Sequence, residues 1–183
     1  MTDWAVPASW YEVMNPWGET EDFYLPLVMA ADRVLDVGCG TGVLLHAARR
    51  AGHPGRLCGL DPDPDMLALA RRRDDIEWLL ADAASASFDG EFDLAVMASH
   101  AFQVFITDDQ LRDSLAAIAA ALAPGGRFAF ETRHPQARAW ERWHGSFQVA
   151  NPSHDGPGTG QVTPGRRWRS WSSRRLRRAW RRD

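Results

Sequence analysis

Residues 34–42 read Val34-Leu35-Asp36-Val37-Gly38-Cys39-Gly40-Thr41-Gly42, and this stretch decides the fold of the chain. An apolar run that contains an acid predicts a buried strand, and glycine at every second position predicts a tight loop after it. Glycine lets a backbone turn sharply and approach a ligand that a Cβ atom would exclude. The following apolar run, from Val43 onward, predicts a helix whose N-terminus faces that ligand together with the free amides of the loop. The stretch therefore predicts a strand, a loop and a helix that bind a nucleotide.

The spacing of the glycines distinguishes two kinds of nucleotide site. In a dinucleotide fingerprint, the third glycine or alanine follows the second glycine by three positions. Val43 occupies that position here, and the spacing is G-x-G-x-G instead. An NAD-dependent oxidoreductase is therefore disfavoured.

The composition is that of one soluble globular domain. The chain has 183 residues, of which 45% are hydrophobic and 25% charged, and a chain of this size buries about 70% of its unfolded surface. It contains neither an apolar run long enough to cross a membrane nor a basic, apolar start typical of a secretory signal. We therefore expect a cytoplasmic protein. Its two cysteines, Cys39 and Cys58, have the spacing of neither a metal site nor a disulfide framework, so no metal is expected.

The net charge of −3 is unevenly distributed along the chain. Residues 166–183 carry nine arginines and one aspartate, which leaves a net charge of −11 on the first 165 residues. An acidic body disfavours binding to a phosphate backbone. We therefore expect neither a nucleic acid nor a membrane as the partner of the main domain.

Strands alternate with helices beyond the opening stretch. This alternation predicts an α/β fold with an open, mostly parallel sheet and helices on both faces. Thr107 with Gln110 indicates a capping box at a helix start, and Pro124-Gly125-Gly126 predicts the end of that helix. The predicted strands are 33–37, 57–60, 76–80, 92–97 and 127–131, and the predicted helices are 22–31, 43–51, 64–73 and 107–122.

An aromatic-rich segment precedes the first strand. It includes Trp4, Trp10, Tyr11, Trp17, Phe23 and Tyr24. Such a segment either covers the ligand cleft as a lid or pads the sheet, and padding is the favoured interpretation because aromatic side chains commonly fill cores and surfaces.

Polar residues follow four of the predicted strands. In open α/β sheets, ligands bind beyond the carboxyl ends of the strands, so these residues are the candidates for a site. Asp61 lies 23 residues after Gly38, at the distance where an acid accepts hydrogen bonds from ribose hydroxyls. Taken singly, each residue also fits a helix cap or a solvated turn. The four groups are Asp36 with the glycines, Asp61, Asp82 with Ala83, and Ala98-Ser99-His100.

This ordered series resembles the motifs of the class I S-adenosylmethionine-dependent methyltransferases. The resemblance covers residues 20–135 and includes the strand Phe92-Asp93-Leu94-Ala95-Val96 and the turn Leu122-Ala123-Pro124-Gly125-Gly126-Arg127. It implies a Rossmann-like fold with S-adenosylmethionine as the cofactor. In the family, the glycine loop lies around the methionine part, the acid after the second strand binds the ribose, and an Asp followed by a small residue lies at the adenine edge. The implied cofactor-binding residues are Asp36, Gly38, Cys39, Gly40, Gly42, Asp61, Pro62, Asp82, Ala83 and Ala98.

Methyl transfer requires the protein mainly to orient its reactants, because the sulfonium group already makes the methyl group electrophilic. A base is needed only if the nucleophile arrives protonated. His100 is the candidate base, with a polar wall or turn histidine as the alternative. Gln103 and Arg133 are predicted to line the acceptor pocket, near Glu131 and His134, although these residues also fit a solvated rim.

The C-terminal segment does not continue the pattern. Residues 1–150 are predicted to form the methyltransferase domain, and residues 151–183 a Gly/Pro linker followed by a disordered tail rich in arginine and tryptophan. Family members usually continue with a helix and a hairpin of strands six and seven. Here 135–143 is predicted as that helix and 147–149 as a stub of strand six, so the hairpin is predicted to be incomplete.

Three explanations of the tail stay open. The absence of lysine suggests a GC-rich coding sequence, whose out-of-frame translation yields such residues, so a frameshift or truncation is favoured. The others are a natural disordered segment and an arginine-rich arm that binds nucleic acid or an acidic surface.

Two functions follow from these observations. The first is an S-adenosylmethionine-dependent methyltransferase that acts on an unidentified small-molecule acceptor. The second is a non-catalytic or truncated module of the same fold that binds the cofactor without turnover. A nucleic-acid methyltransferase is disfavoured, because Ala98-Ser99-His100-Ala101 stands where an Asn-Pro-Pro-Tyr type tetrad would follow the fourth strand.

Overall fold

A computed structural model of the chain describes residues 8–138, 147–150 and 159–162. The chain divides into two units, residues 1–132 and residues 133–183. The first unit contains every predicted cofactor-binding residue. No helix within the described residues is long and apolar enough to cross a membrane.

The first unit is built on a five-stranded sheet in the order β3-β2-β1-β4-β5. All neighbouring strands are parallel, which confirms the predicted open, parallel α/β sheet. The strand order reverses between β1 and β4, and ligands bind at the carboxyl ends of strands beside such a reversal. The strands are β1 Arg33–Val37, β2 Arg56–Asp61, β3 Glu77–Leu80, β4 Phe92–Met97 and β5 Leu122–Phe130.

Helices cover both faces of this sheet. On one face Val34 of β1 packs in a core cluster with residues of α2 and α3, and on the other Leu35 packs with Ile118 of α5. Neighbouring residues of one strand face opposite sides because side chains alternate along a strand. The helices are α1 Ala8–Met14, α2 Glu19–Met29, α3 Val43–Arg50, α4 Pro64–Ala70 and α5 Asp108–Ala121, and a 3₁₀ helix spans Ala101–Val104.

Two helices begin as the sequence predicts. The Asp63 carboxylate accepts the amides of Asp65 and Met66 at the start of α4, and Thr107 forms a capping box with Gln110 at the start of α5. The predicted end of α4 at residue 73 is wrong, since the helix ends at Ala70. The next two residues form a turn, and the Trp78 indole donates a hydrogen bond to the carbonyl oxygen of Arg73, directly after this turn, at 2.9 Å.

The predicted start of β5 at Arg127 is also wrong. The strand begins at Leu122, which pairs with Phe92, and the next pair joins Leu94 to Arg127. The intervening residues of β5 therefore bulge out of the ladder. Gly125 adopts a φ of 83° in this bulge, which glycine does without strain. Helix α5 ends at Ala121, and the Pro124-Gly125-Gly126 segment that was predicted to end it lies in the bulge of β5.

The second unit contains an antiparallel hairpin. Its strands are β6 Phe147–Ala150 and β7 Thr159–Val162, paired from Phe147 with Val162 to Ala150 with Thr159. The predicted stub at 147–149 is confirmed as a strand, and the segment predicted as a linker contains a strand that sequence analysis did not predict. Of the helix predicted over 135–143, a 3₁₀ turn at Pro135–Ala137 is present. Residues 139–146 and the tail at 163–183 lie outside the described residues.

Candidate functional site

Residues 38–42, called here the glycine loop, connect β1 to α3 and fold back onto β2. The amides of Gly38 and Cys39 both donate to the Leu60 carbonyl oxygen, at 2.8 and 3.0 Å, and the Gly42 amide donates to the Cys39 carbonyl oxygen at 2.9 Å. The prediction that free loop amides face a ligand is therefore wrong for these three residues. The Leu60 carbonyl that accepts the amides of Gly38 and Cys39 lies in β2, beyond what a local sequence pattern reveals.

The three glycines of the loop serve different purposes. A Cβ atom on Gly42, which has a φ of 77°, would overlap the Trp78 ring, and one on Gly38 would lie 2.9 Å from the Cβ of Ala101. A Cβ on Gly40 would meet its nearest neighbour, the Tyr11 ring, at an ordinary 3.9 Å. Gly38 and Gly42 thus allow close packing within the protein, and Gly40 has space for a ligand.

Asp61 ends β2 directly beside the glycine loop. Its side chain is buried, and its carboxylate accepts the Gly40 amide at 2.8 Å and the Asp63 amide at 2.9 Å. Burial raises the pKa of this carboxyl, while the two hydrogen bonds act in the opposite direction. Each carboxylate oxygen accepts one of these bonds and keeps acceptor capacity for a further donor, such as a hydroxyl group.

Asp36 is the second acid of the site and lies in β1 just ahead of the loop. It is 3% exposed. Burial raises the pKa of its carboxyl to about 7, and the nearby charge of Asp61 adds to the effect. A buried carboxyl beside a second acid is stabilised in its charged form by a cation, so the pair favours a positively charged ligand.

We expect Asp36 to make the unliganded chain less stable as the pH rises. Its folded-state pKa of about 7 lies above the unfolded value of about 3.9, so the folded chain binds the proton more tightly. The contribution of this proton to the free energy of unfolding is fully present at acid pH. It is lost as the pH rises from about 4 to 7, by up to about 1.4 kcal/mol for each pH unit. Asp36→Asn removes this loss, so thermal unfolding should show a higher Tm than wild type at pH 8 and a much smaller gain at pH 5.

Asp113→Asn provides the control for this experiment, because Asp113 is an exposed aspartate of α5. It should unfold like wild type at both pH values. A gain in Tm that is equal at pH 5 and pH 8 in Asp36→Asn would show that the carboxyl of Asp36 does not titrate in this range.

Helix α1 covers the glycine loop. The Tyr11 ring is the nearest group to the place that a Cβ atom on Gly40 would occupy, and the pKa of the Tyr11 hydroxyl is raised by burial and then by the charges of Asp61 and Glu21. The Arg72 guanidinium lies 3.8 Å from the Glu12 carboxylate and ties α1 to the end of α4. Tyr11 was not predicted as a site residue, because only its place in an aromatic-rich segment pointed to it.

Both interpretations of that aromatic segment therefore apply, to different residues. Tyr11 covers the loop, as expected of a lid. Tyr24 of α2 is 1% exposed and packs in the core, as expected of padding. Burial and the charges of Glu131 and Asp36 raise the pKa of Tyr24 to about 12, so this phenol stays protonated near neutral pH.

Ser99 and His100, called here the β4 turn, follow β4 in a strained conformation. Their φ angles are 52° and 73°, in the left-handed region that costs a non-glycine residue about 1–2 kcal/mol. Two carboxylates hold the turn. Glu21 of α2 accepts the Ser99 hydroxyl at 2.7 Å, and Glu131 accepts the His100 amide at 3.1 Å. Glu21 was not predicted as a site residue, because it precedes Ser99 by 78 residues.

Gln103 and Thr41 carry buried polar atoms near these elements. Gln103 lies in the 3₁₀ helix that follows the β4 turn, and its side-chain nitrogen is buried without a hydrogen-bond partner within the described part of the chain. The hydroxyl of Thr41 in the glycine loop is in the same state. Buried polar atoms are nearly always paired in folded proteins, so both atoms are candidates to bind a ligand.

The remaining predicted residues differ in position. Asp82 is exposed, and its carboxylate accepts the Ser85 amide at 2.7 Å. It therefore forms a local turn, which is the alternative role that the sequence allowed for this residue. Arg133 and His134 belong to the second unit, and their part in the site stays a prediction. Cys39 and Ala83 are buried, Ala98 is partly buried and Pro62 is exposed.

Solved structures with a similar fold include two methyltransferases. One is the S-adenosylmethionine-bound amino pentose methyltransferase CalS10 from Micromonospora echinaspora, with a TM-score of 0.63 and 28% identity over 82% of this chain and 65% of that one. Another is the N-methyltransferase NodS from Bradyrhizobium japonicum, with a TM-score of 0.56 and 25% identity over 75% of this chain and 89% of that one.

The residues present fit S-adenosylmethionine. The cofactor carries a positive sulfonium and a positive ammonium group, and the buried carboxyls of Asp36 and Asp61 supply the opposite charge. Gly40 leaves room for a ligand against the loop. The hydroxyl of Thr41, which has no hydrogen-bond partner among the described residues, is a further polar contact available there. S-adenosylmethionine is therefore the cofactor that this site accommodates.

Curated relatives agree with the structural comparison. A 2-phytyl-1,4-naphtoquinone methyltransferase from Thermosynechococcus vestitus is 36% identical over 115 residues, which cover 60% of this chain and 50% of that protein. A ribosomal protein L11 methyltransferase from Dechloromonas aromatica is 38% identical over 105 residues, which cover 56% of this chain and 32% of that protein. This chain thus spans half or less of these two relatives.

The family model described as a methyltransferase domain matches residues 34–126, just over half of the chain. This range starts in β1, includes the glycine loop and Asp61, and ends within β5. The chain therefore belongs to the methyltransferase domain family and has the Rossmann-like fold of the class I S-adenosylmethionine-dependent methyltransferases.

Proposed function

We propose that this protein transfers a methyl group from S-adenosylmethionine to a small-molecule acceptor. One observation carries the proposal: the glycine loop and the two buried acids Asp36 and Asp61 lie together. They lie next to the β4 turn, which contains His100. The hydrogen bond from the Gly40 amide to Asp61 joins the first two parts. We also propose that the protein acts in the cytoplasm, because Cys39 and Cys58 are both free thiols.

The cofactor supplies the chemistry when bound, since its sulfonium makes the methyl group electrophilic. The protein then has to bind and orient both reactants. We assign Asp36 and Gly40 to the methionine part and Asp61 to the ribose hydroxyls. Asp82 is assigned to the adenine edge, where its carboxylate also caps a local turn. The remaining cofactor assignments are Gly38, Cys39, Gly42, Pro62, Ala83 and Ala98, which shape the site around these polar contacts.

The acceptor side of the site lies at the β4 turn. We propose that His100 takes the proton from an acceptor that arrives protonated, because its side chain is 54% exposed there and is reachable by a ligand. Gln103 supplies a buried amide nitrogen that has no partner within the described part of the chain. We assign it as a hydrogen-bond donor to the acceptor. Arg133 remains a residue that is predicted to line the pocket of the methyl acceptor.

The first test separates binding from turnover. Isothermal titration of the intact chain with S-adenosylhomocysteine is expected to give saturable heat. Incubation with S-adenosylmethionine and a panel of acceptors is then expected to release S-adenosylhomocysteine. Amines come first in the panel, because two similar structures are named for an amino pentose and for N-methylation; phenols, thiols and carboxylates follow.

His100→Ala is the matched variant for this test. It should keep S-adenosylhomocysteine affinity within about threefold and lower kcat by about 10²-fold or more, as removal of a general base does. Binding without methylation of any acceptor would favour the non-catalytic module. Absence of binding heat in a folded chain would reject both functions.

A further inference from the structure

Glu131 directly follows β5, and its carboxylate joins three parts of the first unit. Its Oε1 atom accepts the His100 amide at 3.1 Å and lies 3.5 Å from the Nδ1 atom of the His100 ring. Its Oε2 atom accepts the Thr20 hydroxyl at 3.4 Å. One side chain therefore connects β5, the start of α2 and the β4 turn.

This connection explains how the β4 turn keeps its strained backbone conformation. His100 has a φ of 73°, which is unfavourable for a residue with a side chain. Such a conformation is maintained only where surrounding contacts fix it. The bond from the His100 amide to Glu131 is a contact of this kind, because it fixes the backbone at the strained residue itself.

The same carboxylate also acts on the imidazole ring. An ionised carboxylate only accepts hydrogen bonds, so the ring nitrogen that faces it is favoured as the protonated one. In a neutral histidine with a protonated Nδ1, the Nε2 atom carries the free lone pair. A base of the kind assigned to His100 needs a ring nitrogen in this state.

We propose that Glu131 is a positioning residue that holds the β4 turn and fixes His100 as the Nδ1-protonated tautomer, which leaves Nε2 as the basic atom. This inference rests on the proposed function, because it specifies how His100 is prepared for proton transfer. Glu131, which follows β5, and Glu21 of α2 are titratable groups that contact this turn. Glu21 contacts Ser99, and the charge of Glu131 acts on Tyr24.

The primary test is the tautomer of His100 in the intact chain. Long-range ¹H–¹⁵N spectra of ¹⁵N-histidine-labelled protein report which ring nitrogen carries the proton, and His100→Gln identifies the signal. We expect mainly Nδ1–H in wild type at a pH where the ring is neutral, and a shift towards Nε2–H in Glu131→Ala. Mainly Nε2–H in wild type would overturn the proposal without any variant, and so would a tautomer that Glu131→Ala leaves unchanged.

Glu77→Gln is the matched control, because Glu77 is a carboxylate of β3 that pairs with Arg56 away from the β4 turn. It should leave the His100 spectrum unchanged. Glu131→Gln should keep S-adenosylhomocysteine affinity within about threefold and lower kcat by about 10- to 100-fold for any acceptor found. A chain that methylates no acceptor would reject the proposed function alone, since the tautomer is measured without turnover.

Discussion

Asp61→Ala is expected to abolish the heat of S-adenosylhomocysteine binding in isothermal titration of the intact chain. The substitution removes the acceptor for the amides of Gly40 and Asp63, and with it the carboxylate assigned to the ribose. A buried donor left without a partner costs about 1–3 kcal/mol. Together with the lost contacts to the ribose hydroxyls, this predicts at least a 100-fold loss of affinity, on the order of 3 kcal/mol.

Two variants decide how this result is interpreted. Asp113→Ala removes an exposed carboxylate of α5 and should bind like wild type. Asp61→Asn keeps the size of the side chain and one acceptor oxygen, so its affinity should fall between those of wild type and Asp61→Ala. If folded Asp61→Ala bound S-adenosylhomocysteine within threefold of wild type, the assignment of Asp61 to the cofactor would be wrong.

Gly42→Ala is expected to destabilise the fold by about 2–5 kcal/mol in urea unfolding, compared with about 1–2 kcal/mol for Gly52→Ala. The two glycines have similar φ angles, 77° and 89°, so the backbone cost is matched. They differ in their surroundings. A Cβ atom at Gly42 would overlap the Trp78 ring and approach Ala70, whereas one at Gly52 would have nothing within 4 Å.

The difference between these two variants therefore measures the packing of the loop against Trp78. Trp78→Leu in the Gly42→Ala background should recover part of the loss, since the smaller side chain makes room for the added methyl group. Equal destabilisation at the two glycines would mean that the loop moves away from Trp78 at little cost, and the packing role of Gly42 would be rejected.

Local signals in the sequence were sufficient to predict most of the fold. The alternation of apolar strands with amphipathic helices gave the parallel sheet. The residues that start α4 and α5, Asp63 and Thr107, act within three positions of themselves. Errors arose where a boundary depends on a distant partner. The β5 strand begins at Leu122 because that residue pairs with Phe92, and β7 becomes a strand by pairing with β6.

The site was predicted only in part, because some of its residues follow a local pattern and others come from distant segments. Asp36, Asp61 and the glycines were found because their spacing reflects one strand-loop-helix unit and the strand after it. Tyr11, Glu21 and the hydrogen-bonding role of Glu131 were not found, since they reach the site from segments that precede or follow it. The glycine loop was assigned free amides because two of its acceptors, Leu60 and Asp61, come from another strand.

The internal hydrogen bonds of the glycine loop determine what kind of selectivity it exerts. The amides of Gly38, Cys39, Gly40 and Gly42 have acceptors within the protein, so the shape of the loop is set without any ligand. Binding then costs little conformational entropy at this point. The loop therefore selects ligands by shape, through the space that it leaves beside Gly40, whereas the preference of the site for a positively charged ligand comes from the buried carboxyls of Asp36 and Asp61.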